Sequence, residues 1–444
     1  MKRIAIIGAG LTGLTAGFYL KKAGIPFVIF EADNRVGGVI KTEAKDGFLF
    51  ERGPNSGVLS NLETVHLFEA LEGCKMTVAS EQAKARWIWK NNRWEALPSG
   101  LISAIKTPLF TMRDKLKVLK EPFTKKGTNP NENLASMVKR RLGQSFLDYA
   151  IDPFISGVYA GDTEYLIPKY ALPKLYNLEQ KYGSFIKGAI KKAKDTPPEE
   201  KAKVSKQIFS TNRGLQGLTD SLAESIGESN IKLDQKDLVI NKTDSGYSIN
   251  KEIFSDVFSS VPADKLNDLM PFLQAEETQA IRQLKYAKII EVAVGFKQWK
   301  GIALNAFGGL LPSKEQRNIL GVLFMSSLFK NRAPEQGALL AVFMGGIKKE
   351  YLLDLPDIEI KKIVANELSE LFHLNDFNPD LFEITRYQKA IAQYGIDSKQ
   401  RFEAIKNIEK NHKGLHLGGS IIGGIGIPDR IKQGFAFADT VDRR

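Results

Sequence analysis

The chain opens with Met1-Lys-Arg-Ile-Ala-Ile-Ile-Gly-Ala-Gly-Leu-Thr-Gly-Leu-Thr-Ala-Gly17. The apolar run Ile4–Ile7 predicts a short buried strand, and the pattern from Leu11 to about Ala23 predicts a helix. Three glycines between them allow a tight turn, a close approach of phosphate to the backbone and close helix packing, in the order Gly8, Gly10 and Gly13. The N–H groups at the start of such a helix point at an anion, so the stretch predicts a nucleotide-binding unit.

A second strand and an acid complete this unit. Phe27–Phe30 predicts the strand, and Glu31 follows it about 20 residues after the glycines, where a carboxylate accepts hydrogen bonds from ribose hydroxyls. A GxGxxG pattern alone is weak evidence because glycine-rich turns are common. Here the strand, helix, second strand and acid occur in the required order. The sequence therefore predicts a dinucleotide site, and a βαβ turn that binds nothing is the less favoured alternative.

A second glycine loop follows the acid. In Glu31-Ala-Asp-Asn-Arg-Val-Gly-Gly38, Arg35 and Gly38 would bring a cation and bare backbone onto the same pyrophosphate. This loop resembles that of flavoproteins with two dinucleotide-binding domains, in which the cofactor is FAD. The alternative is an exposed Gly-Gly turn beside a surface arginine.

The composition is that of a globular protein with two or three domains: 444 residues, 43% hydrophobic and 26% charged. The single cysteine, Cys74, excludes an intramolecular disulfide and predicts no metal site, which fits a reducing, cytoplasmic location. No secretory signal is predicted, because the apolar run after Lys2-Arg3 belongs to the nucleotide fingerprint. The longest charge-free run, Ile4 to Leu20, holds four glycines, so no membrane-spanning helix is predicted.

Positive charge is concentrated in one segment. Residues 81–210 hold 24 Lys and Arg against 13 Asp and Glu, which accounts for +11 of the net charge of +12. Within this segment, residues 100–126 mix large apolar side chains with lysines, which predicts peripheral contact with an anionic membrane. A solvated basic face is the alternative. Nucleic acid is not predicted as a partner, since nothing resembles a base-reading module.

Further along the chain, the pattern predicts a hairpin at 85–98, helices over 101–150 and a loop of small and aromatic residues at 152–162. Short strands are predicted at 231–233, 237–240, 247–249 and 256–261. A second sheet is predicted from Ile289 to near Tyr387, interrupted by an amphipathic helix from Ile358 to Leu371. A strand and a glycine-rich turn within 414–428 lead into a last helix, whose N-terminus is predicted to point at the site of charge on a reduced flavin.

Several strings resemble the porphyrinogen oxidases of haem biosynthesis, FAD-dependent enzymes within the amine-oxidase-like flavoproteins. They are Glu51-Arg-Gly-Pro-Asn-Ser56, Asp152-Pro-Phe-Ile-Ser-Gly-Val-Tyr-Ala-Gly-Asp162, Leu178-Glu-Gln180, Ser326-Ser-Leu-Phe-Lys-Asn-Arg-Ala-Pro334 and Gly426-Ile-Pro-Asp429. The resemblance runs from residue 1 to about 440. It implies an α/β, Rossmann-like fold with two dinucleotide-binding domains, an α+β substrate domain and a helical, basic, membrane-associating insertion. We expect an FAD-binding domain at 1–83, 206–263 and 391–444, a substrate domain at 84–98 and 264–390, and the insertion at 99–205.

The resemblance also implies the reaction. Protoporphyrinogen IX would lose six hydrogens to become protoporphyrin IX, with non-covalent FAD as the hydride acceptor and oxygen reduced to hydrogen peroxide. Coproporphyrinogen III, with two propionates in place of two vinyl groups, is the alternative substrate, and Lys84 and Lys90 beside Arg86 do not exclude it. Amine oxidases, carotenoid desaturases and a membrane-associated flavin- or tetrapyrrole-binding protein without turnover also stay open, as does a homodimer.

Five substrate-site residues follow from the resemblance. Arg86 would anchor a propionate, Phe307 would stack on the macrocycle, Ile289 would pack on a pyrrole ring and the backbone of Gly157 would face the pyrrole N–H groups. Asn55 is a polar neighbour of the reacting bridge carbon, with no acid-base role assigned. The alternatives are an exposed strand face for Arg86 and plain core positions for Phe307 and Ile289.

The resemblance implies a larger set of cofactor-binding residues: Gly8, Gly10, Gly13, Glu31, Arg35, Gly38, Gly53, Val239, Gly419, Gly426 and Ile427. Three departures from the family pattern bear on substrate fit. Ile421 stands where an aromatic is usual, Arg430 where cysteine is usual, and Ala392 where proline is usual.

Overall fold

A computed structural model of the chain describes residues 2–98 and 101–443. Ser99 and Gly100, where the predicted basic insertion and its lipid-facing segment begin, lie outside the described residues. The strands are β1 Ile4–Ile7, β2 Phe27–Phe30, β3 Lys41–Lys45, β4 Phe48–Arg52, β5 Gly57–Val58, β6 Met76–Val78, β7 Arg86–Lys90, β8 Arg93–Ala96, β9 Ile208–Thr211, β10 Ile231–Lys232, β11 Ile240–Thr243, β12 Gly246–Ile249, β13 Glu252–Phe254, β14 Asp256–Ser259, β15 Tyr286–Phe296, β16 Gly308–Leu310, β17 Ile319–Phe324, β18 Ala338–Gly345, β19 Leu381–Ala392 and β20 Leu415–Leu417.

Helices connect and cover these strands. They are α1 Leu11–Lys22, α2 Leu62–Ala70, α3 Leu101–Lys106, α4 Met112–Lys120, α5 Leu134–Arg141, α6 Gln144–Phe146, α7 Asp152–Tyr159, α8 Pro168–Ala171, α9 Pro173–Tyr182, α10 Phe185–Asp195, α11 Pro198–Lys203, α12 Gln216–Ile226, α13 Leu266–Leu269, α14 Ala275–Arg282, α15 Met325–Leu328, α16 Asp357–Phe372, α17 Ser398–Asn411 and α18 Ile427–Asp442. Within residues 2–98 and 101–443, no helix combines the length and apolar composition that crossing a bilayer requires.

The nucleotide half is built on a parallel sheet in the order β10-β2-β1-β14-β20. Every residue of β1 and β2 is buried, as expected for inner strands that helices cover on both faces. Helix α18 packs along α1, and a Cβ at Gly434 would lie 2.4 Å from the carbonyl oxygen of Thr12. The predicted strands at 4–7 and 27–30 and the predicted helix to about residue 23 are confirmed.

The second half is built on a mixed sheet in the order β19-β15-β18-β17-β16-β7-β8. Side chains alternate between the faces of β15 because successive residues of a strand point to opposite sides. Ile290, Val292 and Val294 pack with α16, whereas Ala293 on the other face packs against Phe48 of β4. That second face, which meets the nucleotide half, is called the inner face below. The predicted hairpin at 85–98 and the predicted helix near 358–371 are confirmed.

The loop predicted at 152–162 is wrong, because Asp152–Tyr159 is helical. Pro153 stands in the first turn of α7, where its fixed φ suits a helix. The helix continues from a π-helical turn, Leu147–Ile151, and ends at Ala160, which has φ +46°. The strand predicted at 237–240 is also misplaced, since β11 begins at its last residue.

The basic segment lies largely in a helical region, α3 to α11, that follows β8 in the chain and packs on the second sheet through α7. Strand β19 continues to Ala392, two residues past the predicted end of the substrate domain at residue 390. The domain boundaries themselves stay a prediction.

Candidate active site

The three fingerprint glycines have three different surroundings. Gly8 has φ +101°, and its N–H donates to the carbonyl of Phe30 at 2.8 Å. A Cβ at Gly13 would lie 2.0 Å from the carbonyl oxygen of Gly8. A Cβ at Gly10, where φ is −72°, would meet no atom within 4 Å. The backbone therefore requires glycine at two positions, while the third leaves open space beside the turn for a ligand.

The N-terminus of α1 is available to an anion. Its N-cap is Gly10, no side chain of the described residues caps it, and its first turn holds no acidic residue. The first N–H groups of a helix have no partner within the helix. They attract phosphate through their hydrogen bonds and through the helix dipole.

Glu31 ties the end of β2 to the fingerprint turn. Its Oε2 accepts from the N–H of Ala9 at 2.6 Å and its Oε1 accepts from the N–H of Asp33 at 3.0 Å. Each carboxylate oxygen retains a lone pair, so the side chain is held in place and can still accept from ribose hydroxyls.

The second glycine loop lies on the first. The N–H of Gly37 donates to the carbonyl of Ala9 at 2.8 Å, and a Cβ at Gly38 would lie 3.3 Å from the Cα of Gly10. Arg35 donates at 2.6–3.0 Å to the carbonyls of three residues of its own loop, Val36, Gly38 and Ile40. The arginine thus holds the loop in shape, beside the open space at the fingerprint turn.

The C-terminal motif reaches the same place. Gly419 has φ +79°, and a Cβ there would lie 2.5 Å from the carbonyl oxygen of Ser260. A Cβ at Gly8 would lie 2.9 Å from Oγ of the same serine, so Ser260 lies between the C-terminal motif and the fingerprint turn. Gly426 is the N-cap of α18, and the N–H of Ile427, in its first turn, has no partner among the described residues. Val239 is 42% exposed just before β11, and no described contact joins it to the others.

These residues fit a dinucleotide that ends in a flavin. The bare backbone at Gly10 and the N-terminus of α1 suit a pyrophosphate, and the fixed carboxylate of Glu31 suits a ribose. The N-terminus of α18, with the N–H of Ile427, suits the polar edge of the flavin ring. No group of three or more His, Cys, Asp or Glu side chains in the described ranges is arranged to hold a metal ion.

On the second sheet, Arg86 and Phe307 lie together. Strands β7 and β16 pair in parallel with Arg86 opposite Gly308, and the guanidinium carbon lies 5.5 Å from the centroid of the Phe307 ring. Arg86 is exposed, and no carboxylate or carbonyl among the described residues pairs with it. It therefore offers a free, planar set of donors beside an aromatic face.

Gly157 and Ile289 meet around α7. A Cβ at Gly157 would lie 2.4 Å from Cδ2 of Leu310, so the helix packs closely on β16. In a regular helix the N–H of Gly161 would donate to the carbonyl of Gly157. Here it donates to the carbonyl of Ile155 at 3.4 Å, so the Gly157 carbonyl has no partner among the described residues. Ile289 is buried against Ala160, the residue that ends α7.

Asn55 contacts a residue that the sequence reasoning missed, Glu291 of β15. Nδ2 of Asn55 donates to Oε1 of Glu291 at 2.5 Å and to the carbonyl of Gly53 at 3.1 Å, while the N–H of Gly53 donates to Oε2 at 2.9 Å. Burial raises the pKa of Glu291 to about 8, even though the Asn55 and Gly53 donors lower it. An acid inside the apolar run Ile289–Phe296 was the available signal.

A buried ion pair between Glu51 of β4 and Arg332 lies close to Gly53 in the sequence and joins β4 to the segment after α15. Arg332 donates to Oε1 of Glu51 at 2.8 Å and to Oγ of Ser210 at 2.8 Å. Glu51 also accepts from the hydroxyl of Thr42 at 2.5 Å and from the N–H of Leu215 at 3.1 Å. Burial raises the pKa of Glu51 although the charge of Arg332 opposes the shift.

The chain is similar to known flavoproteins over almost its whole length. Residues 11–441 match the family described as flavin containing amine oxidoreductase. The mitochondrial protoporphyrinogen oxidase of Nicotiana tabacum is 29% identical over 99% of this chain and 94% of its own length. The coproporphyrinogen III oxidase of Bacillus subtilis is 27% identical over 98% of this chain and 97% of its own length.

Solved structures agree on the fold. A crystal structure from Exiguobacterium sp., assigned as a protoporphyrinogen oxidase, has a TM-score of 0.81 at 22% identity and covers 100% of this chain and 99% of that one. A reduced UDP-galactopyranose mutase has a TM-score of 0.74 at 16% identity, covering 99% of this chain and 95% of that one. The predicted α/β fold, the predicted resemblance and the predicted FAD-dependent oxidoreductase are confirmed. With its fingerprint, its second glycine loop and its full-length match, this chain belongs to the flavin-containing amine oxidoreductases, and its cofactor is FAD.

Proposed function

We propose that this protein is an oxidase of haem biosynthesis that converts protoporphyrinogen IX to protoporphyrin IX, with oxygen as the electron acceptor. The observation that carries the proposal is the grouping of four features along one side of the second sheet: an arginine and a carbonyl that have no partner among the described residues, an aromatic ring and an apolar side chain. A flat apolar macrocycle with N–H donors at its centre and carboxylates at its rim has the complementary chemistry. Relatives named for this reaction cover nearly the full chain.

The chain's own groups bind and orient in this proposal. Arg86 pairs with a propionate through its planar fork, and Phe307 and Ile289 pack on the ring system. The carbonyl of Gly157 accepts from pyrrole N–H groups. Bound FAD supplies the hydride acceptor, and the protein supplies burial and orientation around it.

The nearest alternative substrate is coproporphyrinogen III, on which the Bacillus subtilis relative is named to act. Its two additional propionates call for further cations near the rim. Of the lysines that flank Arg86, Lys90 donates to the carbonyls of Pro108 and Leu109 at 2.8 and 3.0 Å, and Lys84 pairs with Glu81. Of the three, Arg86 is thus the one cation that has no partner within residues 2–98 and 101–443, which favours the substrate with fewer carboxylates.

The test is anaerobic mixing of the FAD-loaded protein with each porphyrinogen, followed by admission of air. We expect protoporphyrinogen IX to bleach the flavin absorption, and porphyrin fluorescence to appear. Arg86→Leu should weaken substrate binding at least about tenfold by removing a charge-assisted pair, while Arg93→Leu, on the neighbouring strand and paired with Glu95, should not. If coproporphyrinogen III alone bleaches the flavin, the alternative holds. If neither does, amines and polyenes become the substrates to try.

We also propose that the protein acts in the cytoplasm and contacts an anionic membrane surface through an apolar patch formed by Met112, Leu116, Leu119, Phe123 and Ile190. The first three recur on one side of α4. All five are exposed, Phe123 by 84%. Cations border the patch, and Nζ of Lys187 lies 5.1 Å from the centroid of the Phe123 ring. Apolar side chains ringed by lysines suit the interface of an anionic bilayer.

Vesicle sedimentation tests this contact. The protein should pellet with vesicles that contain phosphatidylglycerol and less with pure phosphatidylcholine, and high salt should weaken the binding. Replacing Leu119 and Phe123 by serine should release it, whereas Ile358→Ser, at an apolar residue 70% exposed on α16, should not. Equal binding of all variants would contradict the assignment of the patch.

A further inference from the structure

We propose that Glu291 is a positioning residue for the reaction: it fixes the Asn55 amide so that Oδ1 is presented as a hydrogen-bond acceptor to the N–H groups of the bound macrocycle. The inference rests on the proposed function. It assigns a role to a buried acid that the binding scheme above leaves unused.

The orientation of the amide follows from its partners. The Gly53 carbonyl can only accept, so the atom of Asn55 that faces it is Nδ2. The second Nδ2 hydrogen points to Glu291. Both donors are therefore used within the protein, and Oδ1 has no partner in the described part of the chain. A fixed amide with a free carbonyl is suited to meet an N–H donor.

The acceptor lies next to the proposed substrate group. Glu291 is two residues from Ile289 along β15, so both side chains project from the inner face. Tyr387 of β19 pairs in register with Ile289 and extends its hydroxyl to 3.7 Å from a Cβ at Gly53. Asn55, Glu291 and the Ile289 side chain thus line one continuous part of the inner face.

No cation within residues 2–98 and 101–443 forms an ion pair with Glu291, although the charge of Arg52 lowers its pKa from a distance. From β4, Glu51 lies near it but pairs with Arg332, and Arg52 pairs with Glu43 and Glu383 at 2.8 and 2.9 Å. From β19, Tyr387 faces it, with a pKa raised first by burial and then by the charge of Glu291. With a pKa of about 8, the carboxyl is neutral at lower pH. Its ionisation adds a buried negative charge beside the amide.

The test compares wild type with Glu291→Gln. Glutamine offers one acceptor oxygen where the carboxyl offers two, so either Asn55 or the Gly53 N–H loses its partner. We expect flavin reduction by porphyrinogen to slow by about tenfold to a hundredfold, as for a misplaced positioning group, with FAD content unchanged. The wild-type rate should also change through about pH 8, and the variant should lack that step. Glu403→Gln, at an exposed residue of α17 near Lys399, is the control and should keep the wild-type rate and pH profile.

A double-mutant cycle separates positioning from a general structural effect. If Glu291 acts through Asn55, Asn55→Ala should slow the reaction comparably, and adding Glu291→Gln should slow it little further. Should Glu291→Gln fail to fold, the cycle is replaced by pH profiles, and the step near pH 8 should then be present in wild type and absent in Asn55→Ala.

The outcomes distinguish the two proposals. If wild type oxidises porphyrinogen but Glu291→Gln does so equally fast with the same pH profile, the role of Glu291 is overturned and the proposed function stands. If wild type binds FAD but no porphyrinogen reduces it, the proposed function fails, and with it the role of Glu291.

Discussion

At the scale of single residues, the missing Cβ atoms of Gly10 and Gly13 serve two different purposes. Gly10 has an ordinary φ of −72° and open space where its Cβ would lie. The fold by itself would therefore accept alanine there. Gly13, in contrast, is packed against the Gly8 carbonyl, so any side chain must push the helix off the strand.

This contrast predicts different behaviour for two alanine variants. Gly10→Ala should keep its fold in the FAD-free protein, because the new methyl group meets no protein atom, but should lose at least about tenfold in FAD affinity because the methyl occupies the space for phosphate. Gly13→Ala should lose both fold stability and FAD. Circular dichroism melts and flavin fluorescence titrations measure the two effects. Full FAD affinity in Gly10→Ala would refute the placement of the phosphate.

Glu291 predicts a pH dependence of stability. Its pKa rises from 4.5 to about 8 on folding, so the folded state binds the extra proton between these values. Its contribution to stability is complete below about pH 4.5 and is lost as pH rises towards 8, by at most about 1.4 kcal/mol per pH unit. Glu291→Gln does not titrate at this position and does not lose this contribution. The melting temperature of the variant minus that of wild type should therefore increase as the pH is raised from 5 to 8. A constant difference across that range would contradict the raised pKa.

At the scale of elements, α7 is held on the second sheet by one buried carboxylate. Asp152 accepts from the N–H and hydroxyl of Ser313 at 2.7 and 3.0 Å and from Nζ of Lys348 at 2.9 Å. These bonds fix the start of the helix whose far turn carries the free carbonyl of Gly157. The alignment of that carbonyl thus depends on a contact at the opposite end of the helix.

We expect Asp152→Ala to cost about 2–3 kcal/mol in unfolding free energy, because it strips a half-buried lysine and a backbone N–H of their partner. It should also raise the KM for porphyrinogen by loosening α7. The control is Asp148→Ala, which removes the partner of two exposed side chains, Lys314 and Gln144, and should cost less than about 1 kcal/mol. Urea unfolding and steady-state kinetics give the two values, and equal costs would argue against the anchoring role.

At the scale of the whole molecule, Glu51 and Arg332 join the two halves. The pair connects β4 to the segment after α15 and, through Ser210, to β9. Both side chains are at most 1% exposed. Removing one member leaves the other as an unpaired buried charge.

Arg332→Met should therefore destabilise the protein by about 3–5 kcal/mol and weaken FAD binding, since Glu51 also receives the N–H of Leu215 at the start of α12. Lys45→Met, which breaks an exposed pair between the same hairpin and β19, should cost less than about 1 kcal/mol. Thermal melts with and without FAD measure both. A loss below about 1 kcal/mol for Arg332→Met would contradict a linking role.

The sequence predicted what is encoded locally. The strand, turn and helix of the fingerprint and the hairpin at β7 and β8 depend on neighbours in the chain, and these elements are confirmed. The contact of Glu31 with the cofactor stays a prediction. Helix α7 was missed because small and aromatic residues read as a loop, and its helical start depends on the turn before it. Glu291 was missed because its partner Asn55 is distant in sequence. A buried acid acquires meaning only when the fold brings a donor to it.

The packing of α18 on α1 has a consequence for biosynthesis. The ribosome synthesises α1 long before α18, and we predict that the N-termini of both helices face bound FAD. A nascent chain that still lacks α18 has neither the N–H of Ile427 nor the packing of Gly434 against Thr12 of α1. We therefore expect flavin to be captured after translation has passed residue 442, so that yellow colour reports chains synthesised through that point.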